Sequence, residues 1–354
     1  MKSIEHVWVT LNRQCNLRCR WCYACSTGYY QADNMPVKLA EKIIDFLSEL
    51  HPEYVALIGG EPTCYPDLEH VIHRIYAHGM KSILFTNGLA FCRQEYLDRL
   101  ISAGLYGVNL SMKGWSLESY LQNTGVDGYG TMQKAIQNIA NSPLESIVSF
   151  VISPENVDSY LVAVTDACAW GANYIYLSFE QNFSILDGKQ SPQELSQIFH
   201  MIDCFMESYE QLQRITRGNF ALHQSFPLCI WDSKFIEKLR ENQQIFTSCQ
   251  LLERSGLVFD TSGALLPCNS MYQVPIGKFG VDFTSKQDFE LFWNSSRICK
   301  IYEHFARLPS CICESCLERT QCGGGCIANW FDYHHEKWMG AYQEYQQHKI
   351  RIKQ

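Results

Sequence analysis

The sequence predicts an α/β chain: a parallel sheet wrapped by helices, followed by a smaller cysteine-rich region. Three observations carry this expectation. Strand-like and helix-like segments alternate through the first half of the chain. The alternation stops near residue 213, and beyond residue 249 cysteines recur at short, regular spacings.

Strands are expected at 7–11, 54–58, 82–86, 107–111, 147–152 and 174–179, each rich in β-branched or aromatic residues. Helices are expected between them at 38–50, 67–78, 94–103, 131–139 and 157–170, with a longer one at 191–213 opened by Ser191-Pro192. Leu39, Ile43, Phe46, Leu47 and Leu50 show the i, i+3/i+4 spacing of a helix with one apolar face. Six β/α units imply right-handed crossovers and are too few to close an eight-fold barrel. Residues 214–248 show no clear period and read as a bridge. After them, 257–266 looks like a β-hairpin turning at Gly263, 289–304 is helical, and 330–349 is a closing helix. The expected division is 1–213 for the core, 214–248 for the bridge and 249–354 for the cysteine-rich domain.

Composition narrows the function. The 354 residues are 46% hydrophobic and 13% aromatic, ample for a buried core. A net charge of −8 leaves no basic face for a nucleic-acid backbone, so no nucleic-acid partner is expected. No apolar run reaches membrane-spanning length, and the start of the chain has no signal peptide. Seventeen cysteines in such a chain point to metal ligation in a reducing cytoplasm rather than to a disulfide framework.

The first cysteine motif follows strand one. Cys15, Cys19 and Cys22 stand at C-x3-C-x2-C spacing, with Trp21 just before the third. Three thiolates on one loop can hold three irons of a [4Fe–4S] cube and leave the fourth open to a small chelating ligand. Zinc sites more often pair C-x2-C units. One β/α unit later, strand two ends in Gly59-Gly60-Glu61-Pro62. Alone this is an ordinary strand exit.

In this order, the two motifs resemble those of the radical S-adenosylmethionine (SAM) enzymes. That resemblance implies a partial (β/α)6 barrel with its active site at the strand C-termini. Cys15, Cys19 and Cys22 would hold a [4Fe–4S] cluster with an open iron for SAM, beside Trp21. The Gly59–Pro62 motif would grip the methionine amino group, with the glycines allowing close approach and Glu61 or nearby carbonyls accepting from the ammonium. Asn87 of Thr86-Asn87-Gly88 and Ser111 of Ser111-Met112-Lys113-Gly114 sit where relatives carry cofactor contacts, and Leu177 would border the adenine. Asn87 also reads as a simple turn residue. Two departures stand out: Lys113 replaces the usual Asp, and Gln122 and Asn123 stand where relatives commonly place an Arg.

The C-terminal cysteines form a second pattern. Cys249-x13-Gly263-x4-Cys268 is followed by Cys313-x2-Cys316-x5-Cys322-x3-Cys326. A zinc ribbon would account for the ligand types. The pattern, downstream of such a core, resembles the SPASM extension of peptide- and protein-modifying radical SAM enzymes, which implies one or two auxiliary Fe–S clusters. On that resemblance Cys313, Cys316 and Cys322 belong to one cluster, and Cys249, Cys268 and Cys326 to the other. Each is one ligand short, because no cysteine follows Cys326. Cys229, Cys311, Asp332, His334 and His335 are candidates for the gaps, as is an open iron. Cys229 is equally a candidate hydrogen donor to a substrate radical or a plain core residue. Of Cys25, Cys64, Cys92, Cys168, Cys204 and Cys299, most are expected to be small buried apolar residues.

The resemblance implies reductive cleavage of SAM and hydrogen abstraction from a substrate, fed by a flavodoxin- or ferredoxin-type reductant. The leading expectation is maturation of a ribosomally made precursor peptide through a carbon–carbon or thioether crosslink. An α-carbon epimerase using a Cys hydrogen donor is the alternative. A formylglycine-type sulfatase maturase is disfavoured, since Asn269 stands where that group carries a basic Asp and an amide takes no proton at neutral pH. A small-metabolite or nucleotide substrate and a non-catalytic Fe–S electron-transfer protein stay open. Because the chain starts directly at the first strand, a separate leader-binding protein is a further expected partner.

Overall fold

The computed structural model describes residues 4–22, 33–180, 194–246, 249–306, 310–327, 329–332 and 335–352. Its strands are β1 (His6–Thr10), β2 (Tyr54–Ile58), β3 (Ser82–Thr86), β4 (Gly107–Met112), β5 (Glu145–Ile152), β6 (Ile175–Phe179), β7 (Phe220–His223), β8 (Ile245–Phe246), β9 (Gly256–Phe259), β10 (Ala264–Leu266) and β11 (Gly277–Lys278). The helices are α1 (Val37–Leu50), α2 (Leu68–Ala77), α3 (Gln94–Ser102), α4 (Leu117–Thr124), α5 (Tyr129–Ala140), α6 (Tyr160–Ala169), α7 (Leu195–Thr216), α8 (Ser233–Glu241), α9 (Gln250–Glu253), α10 (Lys286–Trp293), α11 (Ser296–Phe305), α12 (Arg319–Cys322), α13 (Asn329–Asp332) and α14 (His335–Ile352).

The expected α/β alternation with a parallel sheet is borne out. In α1 the periodic residues Ala40, Ile43, Ile44, Phe46 and Leu47 are buried, and the helix stops at His51 in a left-handed conformation. The structure adds α4, which has no apolar stripe to announce it. Its buried residues are Ser119, Tyr120, Asn123 and Thr124, and its start is fixed by a capping box between Ser116 and Ser119. Between 214 and 248 the structure places β7, α8 and β8, elements of four, nine and two residues that are too short to set a period.

The chain folds as two compact units: Met1–Val148, Ala169–Asn173 and Gln250–Phe305, then Ser149–Cys168, Tyr174–Cys249 and Ala306–Gln354. This grouping differs from the division by sequence at 213 and 248. Residues 250–305 join the first unit because β9 pairs in parallel with β1, His6 opposite Gly256 and Val9 opposite Phe259. The hairpin expected at 257–266 is there as β9 and β10, antiparallel, turning at Gly263 (φ 78°).

In the first unit the strand order is β11-β10-β9-β1-β2-β3-β4. β1 to β4 run parallel in close register, Thr10 opposite Ile58 and Thr86 opposite Leu110. The loops that leave their C-termini therefore emerge together at one end of the sheet, where open parallel sheets place their ligands. Phe46, Phe279, Phe283 and Phe289 pack with ring centroids 5.1–5.9 Å apart in the core of this unit.

The second unit contains β6, β7 and β8 in parallel, Ile175 opposite Phe220 and Leu222 opposite Ile245. α14 lies along α7: Phe199 meets Trp338, Tyr342 and Tyr345, and Asp203 takes a 2.9 Å hydrogen bond from the Tyr345 hydroxyl and a 2.8 Å ion pair with Lys349. Among the described residues no helix is long and apolar enough to cross a membrane.

Candidate functional site

The first cysteine loop is built onto the exit of β2. Past β1, Leu11 N–H still donates to Ile58 O at 2.8 Å; then Gly60 N–H donates to Asn12 O at 2.9 Å and Glu61 N–H to Gln14 O at 2.7 Å. Asn12 returns a bond from its amide to Glu61 O at 2.9 Å. This contact is so close that a Cβ on Gly60 would stand 2.5 Å from the carbonyl oxygens of both Arg13 and Gln14. A Cβ on Gly59 would meet Asn12 Oδ1 at 2.1 Å. Both glycines are thus required by the cysteine loop itself, a partner that sequence reasoning did not name.

Farther along, Arg18 N–H donates to Thr124 O at 2.8 Å and Arg20 N–H to Asn123 O at 3.0 Å, so the loop is also pinned to the C-terminal end of α4. Between these anchors lie Cys15, Cys19 and Cys22, all partly exposed. Burial pushes the Cys15 thiol up to about 12, with Glu61, Cys19 and Cys22 adding repulsion. Burial also raises Cys19, against the pull of the Lys113 ammonium. The three thiols therefore share one electrostatic environment. Tyr23 and Cys25 lie outside the described residues.

Glu61 is 1% exposed. Its carboxylate accepts from Thr63 N–H (3.1 Å), the Thr63 hydroxyl (2.7 Å), the Thr86 hydroxyl (2.6 Å) and Asn87 N–H (2.8 Å). Burial pushes its carboxyl above the ordinary range while these donors favour the charged form. The side chain thus ties the exit of β2 to the exit of β3, and among the described residues it has no cationic partner. Asn87 completes the tie: its amide donates to Asn16 Oδ1 at 2.7 Å, and its own Oδ1 accepts from Leu89 N–H at 3.1 Å. Both the turn role and a place at the loop belong to Asn87.

At the exit of β4 the Lys113 ammonium donates to Ser111 Oγ at 2.7 Å. Asn123, at the position of the expected Arg, donates to Lys113 O at 2.8 Å, while exposed Gln122 bonds Glu118. Among the described residues Lys113 makes no ion pair. Two further groups complete the setting. Among the described residues Trp21 Nε1 and the Tyr120 hydroxyl are buried without a hydrogen-bond partner, and Tyr120 is fully buried with Cys19, Glu61 and Cys15 among its electrostatic neighbours. Tyr120 escaped sequence reasoning because α4 buries polar residues and shows no period. Leu177, fully buried in the middle of β6 rather than at its end, belongs to the second unit.

The C-terminal cysteines divide between the units: Cys268 in the first, Cys249, Cys313, Cys316, Cys322 and Cys326 in the second. In the second unit a helical turn, Cys311–Ser315, carries Cys313, and Cys316 follows it. α12 ends at Cys322, and Gly323, Gly324 and Gly325 all have positive φ. This turn brings the chain against residues 224–229. Cys326 N–H donates to Ser225 O at 2.9 Å, Gln224 Nε2 to Cys322 O at 3.1 Å, and Leu228 N–H to Cys322 Sγ at 3.3 Å. Cys229, in the turn Leu228–Ile230, is exposed. Asn269 Oδ1 in the first unit is buried without a partner.

His335 is buried and opens α14; Asp332 ends α13, and His334 lies outside the described residues. The expectation that most of the leftover cysteines are buried is corrected: Cys64, Cys92, Cys168, Cys204 and Cys299 are only partly buried, because each sits on a helix or turn flank rather than on a core face. Asp158, His200 and Cys204 bring ligand-type atoms within 4.8 Å of one another, but Asp158 and His200 are exposed, which makes this a surface trio.

A parallel α/β sheet with a three-cysteine loop after its first strand and a Gly-Gly-Glu-Pro exit after its second defines the radical SAM class. Residues 9–167, just under half of the chain, match the model of the Radical SAM superfamily; this match supports a radical SAM enzyme, a class whose cofactors are a [4Fe–4S] cluster and SAM. Among curated relatives it is 28% identical over 136 residues to a probable GTP 3',8-cyclase of Thermococcus kodakarensis, covering 38% of this chain and 44% of that protein. It is 29% identical over 163 residues to the mycofactocin maturase MftC of Mycobacterium tuberculosis, covering 46% and 41%. The chain thus spans less than half the length of these relatives. Among solved structures, SuiB of Streptococcus suis bound to precursor peptide SuiA matches with TM-score 0.71 at 17% identity, over 94% of this chain and 74% of that one. Native anSMEcpe with bound AdoMet and Kp18Cys peptide matches with TM-score 0.68 at 15% identity, over 98% and 97%. At these identities the likeness is one of fold, and it includes the cysteine-rich C-terminal region.

Proposed function

We propose that this chain is a radical SAM maturase that abstracts a hydrogen from a ribosomally made peptide and forms a carbon–carbon or thioether crosslink. The observation that carries the SAM site is a pair of oppositely charged side chains that make no ion pair among the described residues. Glu61 is buried without a cation, Lys113 is unpaired beside Ser111, and both act on the Cys19 thiol. A zwitterionic amino-acid group beside the thiols satisfies both. Its ammonium would meet the carbonyls at Gly59–Gly60 and the field of Glu61, and its carboxylate would meet Ser111 and Lys113. Cys15, Cys19 and Cys22 would hold three irons of the cluster. When bound, cluster and SAM together supply hydrogen-atom abstraction.

Lys113 then supplies the positive charge that relatives take from an Arg further along, which gives this departure a function. Because the carboxylate of Glu61 is committed to Thr63, Thr86 and Asn87, its part is to fix the motif and set its charge. Trp21 and Tyr120 offer two donors without partners beside the cofactor.

The peptide substrate is inferred from the extent of the likenesses. The match to GTP 3',8-cyclase covers only 38% of the chain. The fold match extends over 94% and 98% of the chain to two proteins whose structures were solved with peptides. Asn269 weighs against formylglycine formation, since its amide has no basic oxygen. Anaerobic incubation with SAM and reductant tests the class, with 5′-deoxyadenosine the expected product. Co-expression with candidate short peptides tests the reaction: a product lighter by two hydrogens marks a crosslink. Deuterium taken up from deuterated water at an α-carbon marks epimerisation and overturns the crosslink.

A further inference from the structure

We propose that Cys229 is the fourth ligand of an auxiliary [4Fe–4S] cluster held by Cys313, Cys316 and Cys322. This inference rests on the reading above that the C-terminal cysteines bind Fe–S clusters. It replaces a ligand from the end of the chain with one lying some ninety residues before its partners.

Cys313-x2-Cys316-x5-Cys322 provides three thiols in the second unit, and a cube closed by protein needs one ligand for each of its four irons. The backbone brings in the fourth. The amide of Leu228, immediately before Cys229, donates to Cys322 Sγ at 3.3 Å, and Gln224 Nε2 reaches the same sulfur at 3.7 Å. Amide donors aimed at a cysteine sulfur are what a cluster thiolate takes from its surroundings. Ser225 O accepts from both Cys326 N–H and Asn329 Nδ2, at 2.9 and 2.7 Å, so the strand exit of β7 is fastened along the cysteine loop. The approach depends on Gly325, whose Cβ would stand 2.7 Å from Phe226 C and 2.8 Å from Ser225 O.

Backbone placement separates Cys229 from Cys311: Cys229 directly follows the residue whose amide meets Cys322 Sγ, while Cys311 opens the turn that carries Cys313. On coordination each thiol releases its proton to solvent, and four thiolates leave this cube no open iron. Its role is then electron transfer, as an oxidative crosslink requires. The role also removes Cys229 as a hydrogen donor, and with it the donor of the epimerase alternative.

The test uses the full chain with Cys15, Cys19 and Cys22 replaced by alanine, reconstituted anaerobically, so that iron reports only the C-terminal region. Adding C229A or C229S is expected to lower the iron content by between about one and four per chain, or to leave a cluster that converts to a [3Fe–4S] EPR signal on mild oxidation. C311A is expected to leave iron and EPR unchanged. In the otherwise native loaded protein, Cys229 is expected to resist alkylation and to become reactive once a chelator strips the iron. The inference is overturned if C229A and C229S match the parent in iron and EPR while C322A loses iron, or if Cys229 alkylates equally with and without iron. If C322A also matches the parent, the auxiliary-cluster reading itself fails.

Discussion

The two cysteine arrays are built in opposite ways. Cys15, Cys19 and Cys22 lie within eight residues of chain. They are held from two sides by strand-exit and helix-end backbone, beside Glu61 and Lys113, which make no ion pair among the described residues. The array of Cys313, Cys316 and Cys322 is met by a distant segment, residues 224–229, with amides aimed at one of its sulfurs; on the proposed ligand set Cys229 of that segment is the fourth thiol. The difference teaches what each is for. An incomplete ligand set next to uncompensated charge is a place for a ligand to enter, whereas a complete set tied by amides is a closed conductor.

The largest expected effect comes from breaking the first array. C19A should lower 5′-deoxyadenosine formation to background, a loss of at least ~1,000-fold, while iron bound in the C-terminal region persists. C322A should do the reverse: 5′-deoxyadenosine still forms, and the peptide product is lost. If both variants lose 5′-deoxyadenosine equally, the contrast between entry site and conductor is wrong.

Next in size is Lys113. Removing a charge-assisted contact to a carboxylate costs about 1.5–3 kcal/mol, so K113M should raise the KM for SAM by roughly 10- to 150-fold with a smaller change in kcat. K113R should recover most of the affinity. An unchanged KM in K113M would leave the SAM carboxylate to Ser111 alone.

The glycine wedges allow a matched comparison. G60A drives a methyl to 2.5 Å from two loop carbonyls, and G325A drives one to 2.7 Å from the backbone of Phe226. Overpacking of this kind costs about 1–3 kcal/mol, visible in denaturant midpoints. G60A should also weaken SAM binding and spare the C-terminal iron; G325A should do the opposite.

The smallest effect is expected at Arg240 and Glu318, a partly exposed ion pair that braces α12 from α8. R240A should cost no more than about 1 kcal/mol and leave both arrays loaded. A loss of C-terminal iron in R240A would mean that the loop around Cys322 is far less self-supporting than its backbone bonds indicate.

Much of this was legible because it is local. β1 to β4 and the apolar face of α1 follow from alternation and period, and C-x3-C-x2-C places three thiols on one loop whatever surrounds it. The Gly59–Pro62 motif was recognised, but its immediate partner was not: only the fold shows that the glycines receive Asn12, Arg13 and Gln14. α4 stayed hidden because it buries Ser119, Asn123 and Thr124, and a hydrophobic period cannot report a polar face. Tyr120 was hidden with it.

Sequence alone therefore determined the chemistry on offer, since ligand spacing, strand exits and the Asn269 and Lys113 departures are all written within a few residues. The tertiary structure decided the partnerships. It set Lys113 beside Ser111, left Glu61 buried without a cation among the described residues, and brought Leu228, next to Cys229, to Cys322 across ninety-four positions. Charge and coordination act through space, and distance along the chain carries no record of them.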